Sequence, residues 1–266
     1  MINRTQFAST VILLSAVIAG HAQTAKPNQS TSRPFGLDIV GEVMEAGSDA
    51  GALDFQQNAL GDLQALINEQ LGERLAIDDV SALALDPTML QLQTDSDARV
   101  YFVSEGAGYH NTLGFNTEGS GIDEGNPLLI LPDSTDPDWV NPGDFVDLGT
   151  LEAGTNLDFF LIANGANGGS NVFTNDAESN PDGIQHVVSF ALEGSPYLLI
   201  GFEDLLNGGD RAFNDLLFAV EIGEANVETL IASSASAFAS PEPSTALILG
   251  VLCLVITAQR RRGRCA

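Results

Sequence analysis

Seven short runs of apolar or alternating residues constrain the fold of this chain more than any other feature. Clusters of Gly, Asn, Asp and Pro, which are typical of turns, separate the runs. Parallel strands would need helical crossovers, and no helical pattern lies between these runs. The sequence therefore predicts a mainly β fold, an antiparallel β-sandwich of jelly-roll or immunoglobulin-like kind over residues 98–222. The runs are 98–103, 127–131, 145–148, 157–163, 185–192, 197–202 and 213–222.

The apolar residues that precede the predicted sandwich recur with a helical period. Leu60, Leu63, Ile67 and Leu71 recur at helical spacing, which predicts one amphipathic helix over residues 53–71 with its apolar stripe packed on the neighbouring domain. We assign residues 53–97 to this helical lead-in. Composition divides the rest of the body: residues 23–52 are rich in Ser, Thr, Gly and Pro and predict a flexible segment, and the Ala- and Ser-rich residues 223–240 predict a linker.

The densest polar cluster lies between the last two predicted strands. It contains Glu203, Asp204, Asp210, Asn214 and Asp215, with glycines that allow tight turns. Calcium takes six to eight oxygen ligands, and clustered carboxylates that repel each other become stable around such an ion. These five residues are therefore the predicted calcium ligands. The alternative is a solvated acidic hairpin in which Arg211 is the counter-ion.

A second polar stretch, residues 164–183, is rich in Asn, Asp and Gly. It could supply metal ligands or hydrogen bonds to a carbohydrate. The simpler interpretation, which we prefer here, is a solvated surface loop in which Asn and Gly adopt positive backbone angles.

Charge and cysteine content exclude several classes of function. The formal net charge is −26, and the body from residue 23 to 240 has only five basic residues, Lys26, Arg33, Arg74, Arg99 and Arg211. Such a field repels nucleic acid, so we expect no nucleic-acid partner. Both cysteines, Cys253 and Cys265, lie near the C-terminus, which leaves the body without disulfides or thiolate metal ligands.

No catalytic motif stands out. The sequence lacks a Gly-x-Ser-x-Gly elbow, a His-Glu-x-x-His helix, a Walker loop and a dinucleotide fingerprint. Paired carboxylates for glycoside hydrolysis depend on a separation in space, which sequence spacing does not report. We therefore predict a protein that is not an enzyme, with a carbohydrate-active hydrolase as the alternative.

The N-terminus has the pattern of an export signal. Arg4 precedes the apolar run 11–19, and small residues at Gly20 and Ala22 predict cleavage by signal peptidase between Ala22 and Gln23. The apolar run is too short to span a bilayer core of about 30 Å. Residues 1–22 are therefore a predicted signal peptide.

The C-terminus combines Pro241, Glu242 and Pro243 with an apolar run, 246–258, and a tail containing four arginines. This order resembles the PEP-CTERM sorting signal of Gram-negative bacteria. The resemblance implies that residues 241–266 pass through the inner membrane as a transient transmembrane helix and are processed by an exosortase. The protein would then reach the cell surface, the outer membrane or the extracellular space.

A second resemblance lies in the acidic block, residues 201–218. Its Gly-Phe-Glu-Asp, Gly-Gly-Asp-Arg and Phe-Asn-Asp segments resemble the signature of the domain of unknown function 4114 family, over about residues 144–222. The upstream residues 102–109, with Asn111, resemble the strand and loop that precede this signature. Ala212 stands where an acidic residue is often found, which removes one ligand. The family implies an extracellular β-domain and no defined activity.

Together these features predict an exported surface or matrix protein with a calcium-stabilised β-sandwich that interacts with exopolysaccharide or other surface material. The polysaccharide interaction follows from the family resemblance alone. A passive structural spacer is the second alternative to this function, beside the hydrolase.

Overall fold

The apolar runs form two antiparallel β-sheets that pack face to face. The structure is a computed structural model and describes residues 22–71, 84–135, 138–191 and 193–239. One sheet has the strand order β1-β8-β9-β10-β2-β5 and the other β4-β3-β6-β7. The strands are β1 (Ala84–Leu85), β2 (Ser96–Ser104), β3 (Thr112–Asn116), β4 (Leu128–Leu131), β5 (Phe145–Leu151), β6 (Asp158–Ala163), β7 (Asn171–Thr174), β8 (Val187–Ala191), β9 (Tyr197–Phe202) and β10 (Leu216–Glu221).

The main core lies between the two sheets. Phe102 and Phe218 from the six-stranded sheet share one buried cluster with Phe115 and Phe159 from the four-stranded sheet, and the rings of Phe159 and Phe218 meet edge to face at 5.1 Å. This arrangement confirms the predicted mainly β class with two antiparallel sheets. The finer assignment to a jelly-roll or immunoglobulin-like topology stays a prediction.

The outer face of the six-stranded sheet is covered by the predicted helix. The helix comprises α1 (Ala50–Asp54), a π-helical turn (Phe55–Ala59) and α2 (Leu60–Gln70). Leu63 and Ile67 are buried against this sheet, and Phe55 stacks on Tyr101 at 3.9 Å. Burial on both faces explains why β9 and β10 are continuous apolar runs rather than alternating ones.

The N-terminal segment differs from the flexible tether that we expected over residues 23–52. Met44 forms backbone bridges to Ala25 and Phe145, and Val40 donates a 2.8 Å hydrogen bond to the Leu129 carbonyl. The Lys26 ammonium group lies 2.7 Å from the Asp144 carboxylate. These partners are distant in sequence, so local composition does not reveal that the segment is packed.

A helix replaces most of the predicted linker at 223–240. Residues Glu224–Ala239 form α3, in which Val227 and Leu230 are buried in the main core. The Asn226 side chain accepts hydrogen bonds from the amides of Gln93 and Thr94. Alanine has the highest helix propensity, and two apolar residues three apart make one face of the helix hydrophobic.

Three strands, β1, β3 and β7, were not among the predicted runs. The strand β7 lies inside the stretch 164–183 that we interpreted as a solvated loop, and its Phe173 is fully buried. These strands are two to five residues long, and so short a segment has little detectable periodicity.

Both predicted sorting segments lie almost wholly outside the described residues. The signal peptide reaches the described range only at Ala22, and the described range stops at residue 239, before Pro241. Within the described ranges, none of the helices has the length and apolar character needed to cross a membrane.

Candidate metal centre

Strand pairing brings three acidic residues of the predicted calcium loop together. Glu203 and Asp204 directly follow β9, and Asp215 directly precedes β10, its antiparallel neighbour. Phe202 is paired with Leu216, and the Asp215 amide donates a 3.1 Å hydrogen bond to the Phe202 carbonyl. One carboxylate oxygen from each acidic residue lies within 4.8 Å of the other two.

The cluster is held at the end of the core rather than on a solvated hairpin. Glu203 and Asp204 are only 2% and 4% exposed. The Glu203 carboxylate accepts hydrogen bonds from the amides of Leu205 and Arg211, and the Asp215 carboxylate accepts a 2.8 Å bond from the Asp204 amide. The loop backbone thus wraps around its own acidic side chains.

The opposite sheet contributes Asn111, which lies immediately before β3. Its Nδ2 donates a buried 2.7 Å hydrogen bond to Asp204 Oδ2, while its Oδ1 accepts a 2.9 Å bond from the Asn164 amide. We did not predict Asn111 as part of the site. The sequence feature that could have indicated Asn111 was its position in the upstream segment that resembles the same family as the acidic block.

Two glycines permit the close approach of the loop backbone. A Cβ atom at Gly201 would overlap the Phe213 carbonyl oxygen, and one at Gly209 would overlap the Glu203 carboxylate. After Gly209, Arg211 and Phe213 have φ values of 61° and 51°, which are unfavourable for residues that carry a Cβ atom. The surrounding packing therefore holds the loop in a strained conformation.

Electrostatics show a site with an excess of negative charge. Burial, followed by the nearby Asp215 carboxylate, raises the pKa of Glu203 to about 8. Burial raises the pKa of Asp204 to about 6 and also raises the pKa of Asp215. Glu105 is close enough that Asp215 contributes to the rise in its pKa, which is due first to burial. Glu105 was not among the predicted site residues.

The alternative counter-ion, Arg211, does not neutralise the cluster. Its side chain is exposed, and it makes no ion pair within the part of the chain that the structure describes. Its backbone amide, rather than its guanidinium group, donates the 3.2 Å hydrogen bond to the Glu203 carboxylate. The carboxylates therefore have no charged partner from the loop itself.

Two of the five predicted ligands are not part of the cluster. Asp210 is exposed and accepts a hydrogen bond from the Ala212 amide, although its charge adds to the raised pKa values of Glu203 and Asp215. Asn214 turns its Nδ2 to the Leu71 carbonyl at 3.3 Å. The structure thus groups Glu203, Asp204 and Asp215 and leaves Asp210 and Asn214 outside.

The donor set suits a hard cation. Three carboxylates supply part of the six to eight oxygens that calcium takes, and backbone carbonyls or water can complete the shell. A divalent ion would also compensate the charges whose burial raises these pKa values. Residues Glu203, Asp204 and Asp215 could therefore hold a metal ion, and their chemistry favours an oxygen-liganded one.

Comparison with known families gives one match. The family described as Domain of unknown function (DUF4114) matches residues 151–223, a region that starts at the end of β5 and ends just after β10. The match agrees with the resemblance inferred from the acidic block and includes all three clustered carboxylates, but not Asn111. It covers less than a third of the chain. No curated protein and no solved structure gives a significant match.

Proposed function

We propose that the protein is an exported, exosortase-sorted cell-surface or extracellular-matrix protein whose β-sandwich is stabilised by calcium and interacts with exopolysaccharide or other surface material. One observation supports the calcium site above all. Glu203, Asp204 and Asp215 lie together at the sheet end, and no side-chain cation among the described residues is paired with them.

The position of the site explains how an ion would stabilise the sandwich. Its ligands come from the ends of two adjacent strands, and Asn111 links Asp204 to the other sheet. Without a cation, the three carboxylates must be protonated or repel each other in a partly desolvated space. Bound calcium removes that repulsion and holds the strand ends and the two sheets together.

The proposed destination supports the choice of ion. The two terminal segments are typical of export and sorting, and calcium outside cells is often near millimolar, where weak extracellular sites are occupied. Export would proceed through signal peptidase at Ala22 and Gln23, a precursor held in the inner membrane, and exosortase processing at Pro241, Glu242 and Pro243. The polysaccharide interaction rests on the combination of this sorting signal with the family match.

Calorimetric titration with calcium tests the ion site. We expect the double variant Asp204→Asn/Asp215→Asn to lose binding at this site, while the matched variant Asp210→Asn, which removes an exposed charge from the same loop, keeps it. Equal loss in both variants would point to a general charge effect and contradict a discrete site.

Retention on immobilised exopolysaccharide, measured with calcium and with chelator, tests the interaction. Retention that requires the folded protein supports the proposal, whereas no retention indicates a passive spacer. Release of reducing sugar from the same material would indicate the hydrolase alternative, which needs a suitably separated carboxylate pair.

A further inference from the structure

An acidic cavity lies at the end of the four-stranded sheet opposite to Asn111. Asp158 is the first residue of β6 and pairs with Asn116, the last residue of β3, whereas Asn111 lies just before the first residue of β3. At about 3.4 Å per residue, the five-residue strand β3 separates the two ends by roughly 17 Å. The cavity is therefore distinct from the cluster of Glu203, Asp204 and Asp215.

Four separate chain segments form the wall of this cavity, which has a volume of about 410 Å³. Ser120 lies between β3 and β4, Asp158 opens β6, and Asn175 and Asp176 follow β7. Pro87, Leu90 and Leu157 supply the apolar part of the wall.

Three of the side-chain oxygens that line the cavity lack hydrogen-bond partners among the described residues. These are Asp158 Oδ1, Asn175 Oδ1 and Ser120 Oγ, which are buried and make no hydrogen bond with any residue that the structure describes. Asn175 is only 5% exposed, and its Nδ2 donates to the Leu157 carbonyl at 2.7 Å and to the Pro87 carbonyl at 3.1 Å. These two bonds fix the amide orientation and leave Oδ1 as an acceptor. Buried polar atoms in folded proteins are almost always satisfied, so this group indicates a ligand.

The charge of the cavity identifies the kind of ligand. Neither Asp158 nor Asp176 forms an ion pair with any described residue. Burial raises the pKa of Asp158 to about 7, the nearby Ser120 hydroxyl partly opposes that rise, and the charge of Asp176 adds to it. A water molecule could donate two hydrogen bonds but would leave both negative charges uncompensated. A sugar ring would be expected to stack on an aromatic side chain, and none of the described residues that line this cavity is aromatic.

We propose that this cavity binds a divalent cation, with calcium as the best match to its oxygen ligands, through Asp158, Asn175 and Ser120. Carboxylate, amide carbonyl and hydroxyl oxygens are the donors that hard cations prefer, and the volume leaves room for water to complete the shell. The ion would join the loop after β3 to the start of β6 and to the residue that follows β7. This site is independent of the ion site in the proposed function.

Calcium stoichiometry of the whole protein tests the inference at pH 8, where Asp158 is mostly ionised in the metal-free protein. We expect two ions per wild-type chain, one in Asp158→Asn and one in Asp204→Asn/Asp215→Asn. The control variant Glu178→Gln removes a nearby exposed charge that does not line the cavity and should keep both ions.

The outcomes separate this inference from the proposed function. Loss of one ion in Asp158→Asn supports the cavity site, even if the Asp204→Asn/Asp215→Asn variant binds as many ions as the wild type. An unchanged stoichiometry in Asp158→Asn overturns the cavity site and leaves the first site standing. No calcium binding by the wild type overturns both.

A second variant keeps the test decisive if Asp158→Asn does not fold. Ser120→Ala removes one proposed ligand without changing charge, and we expect it to weaken one of the two binding events by at least several-fold. Unchanged affinities at both sites in Ser120→Ala would overturn the inference.

Discussion

Asn111 Nδ2 donates a 2.7 Å hydrogen bond to Asp204 Oδ2, although the two residues are 93 positions apart in the sequence. Asn111 lies just before β3, an inner strand of the four-stranded sheet, and Asp204 lies just after β9 of the six-stranded sheet. The bond therefore fastens the two sheets at the point where the acidic cluster lies. It makes any ion bound by Asp204 part of the connection between the sheets.

Calcium should raise the thermal stability of the protein. At about 100 times its dissociation constant, an ion that binds only the folded state adds about 2.7 kcal/mol to the free energy of unfolding. Melting followed by circular dichroism in calcium and in chelator should differ by several degrees. The difference should shrink markedly in Asp204→Asn/Asp215→Asn and persist in Asp210→Asn. Superimposable wild-type melting curves under the two conditions would rule out the stabilising role.

Stability in chelator should fall as pH rises from about 5 to about 8. Burial raises the folded-state pKa of Glu203 from its ordinary value of 4.5 to about 8, so the folded state holds more protons than the unfolded state in this window. The contribution of Glu203 to the free energy of unfolding is complete below its ordinary pKa of 4.5. It disappears as the pH rises through the folded-state pKa of about 8. Asp204 and Asp158 change stability in the same direction. Urea unfolding at several pH values measures the slope.

The matched variant for this pH dependence is Glu203→Gln, which cannot ionise. Its unfolding free energy in chelator should fall less between pH 5 and pH 8 than that of the wild type. The unfolding free energy of Asp210→Asn should fall almost as much as that of the wild type, because burial and Asp215 raise the Glu203 pKa more than Asp210 does. A wild-type stability that rises with pH across this window would contradict the electrostatic account of the cluster.

Gly209→Ala should destabilise the loop and weaken calcium binding. The position has φ of 43°, and an added Cβ atom would overlap the Glu203 carboxylate. We expect a loss of about 3 kcal/mol in unfolding free energy from backbone strain and overpacking together. Gly194→Ala is the control, because φ there is 73° but an added Cβ atom would have no described atom within 4 Å beyond its chain neighbours, so it should cost about 1 kcal/mol. Equal losses of unfolding free energy in Gly209→Ala and Gly194→Ala would show that the contact between residue 209 and Glu203 does not contribute to stability.

Asp49→Ala should weaken the attachment of the helix to the six-stranded sheet. Asp49 caps α1 by accepting from the Ala52 amide at 2.7 Å, and it forms a 2.9 Å ion pair with Arg99, which also lies 4.1 Å from the Phe145 ring. Loss of the cap and of the charged hydrogen bonds should lower the unfolding free energy by about 2 to 3 kcal/mol. Chemical denaturation gives this value. Asp54→Ala removes an exposed acid from the same helix and should change it by less than about 0.5 kcal/mol.

Processing at both termini can be measured by intact mass. Protein recovered from its final location should begin at or near Gln23 and should lack residues 247–266. Changing Glu242 to Ala should trap a larger form in the inner membrane. Met1 retained on protein outside the inner membrane would disprove the signal peptide, and Cys265 retained at the final location would show a permanent anchor.

The local sequence pattern was sufficient to predict the strands with long apolar runs and the helix that precedes the sandwich. The period of Leu63 and Ile67 and the apolar residues of β9 and β10 reflect burial of adjacent residues, which a sequence records directly. The sequence was also sufficient to predict Glu203, Asp204 and Asp215 as part of one site, because they lie at the two ends of the loop that joins β9 to β10. Their proximity needs only the pairing of two consecutive strands.

Contacts between distant segments were decided by the tertiary structure. Sheet packing brings Asn111 to Asp204, turns Asp210 toward solvent, and places Ser120, Asp158 and Asn175 around one cavity. Packing also turns an Ala- and Ser-rich stretch into α3, because Val227 and Leu230 find an apolar surface there. Composition and period describe how a residue relates to its near neighbours in the chain. Which side chains share a site depends on strand order and register, and many arrangements of these strands would satisfy the same local patterns.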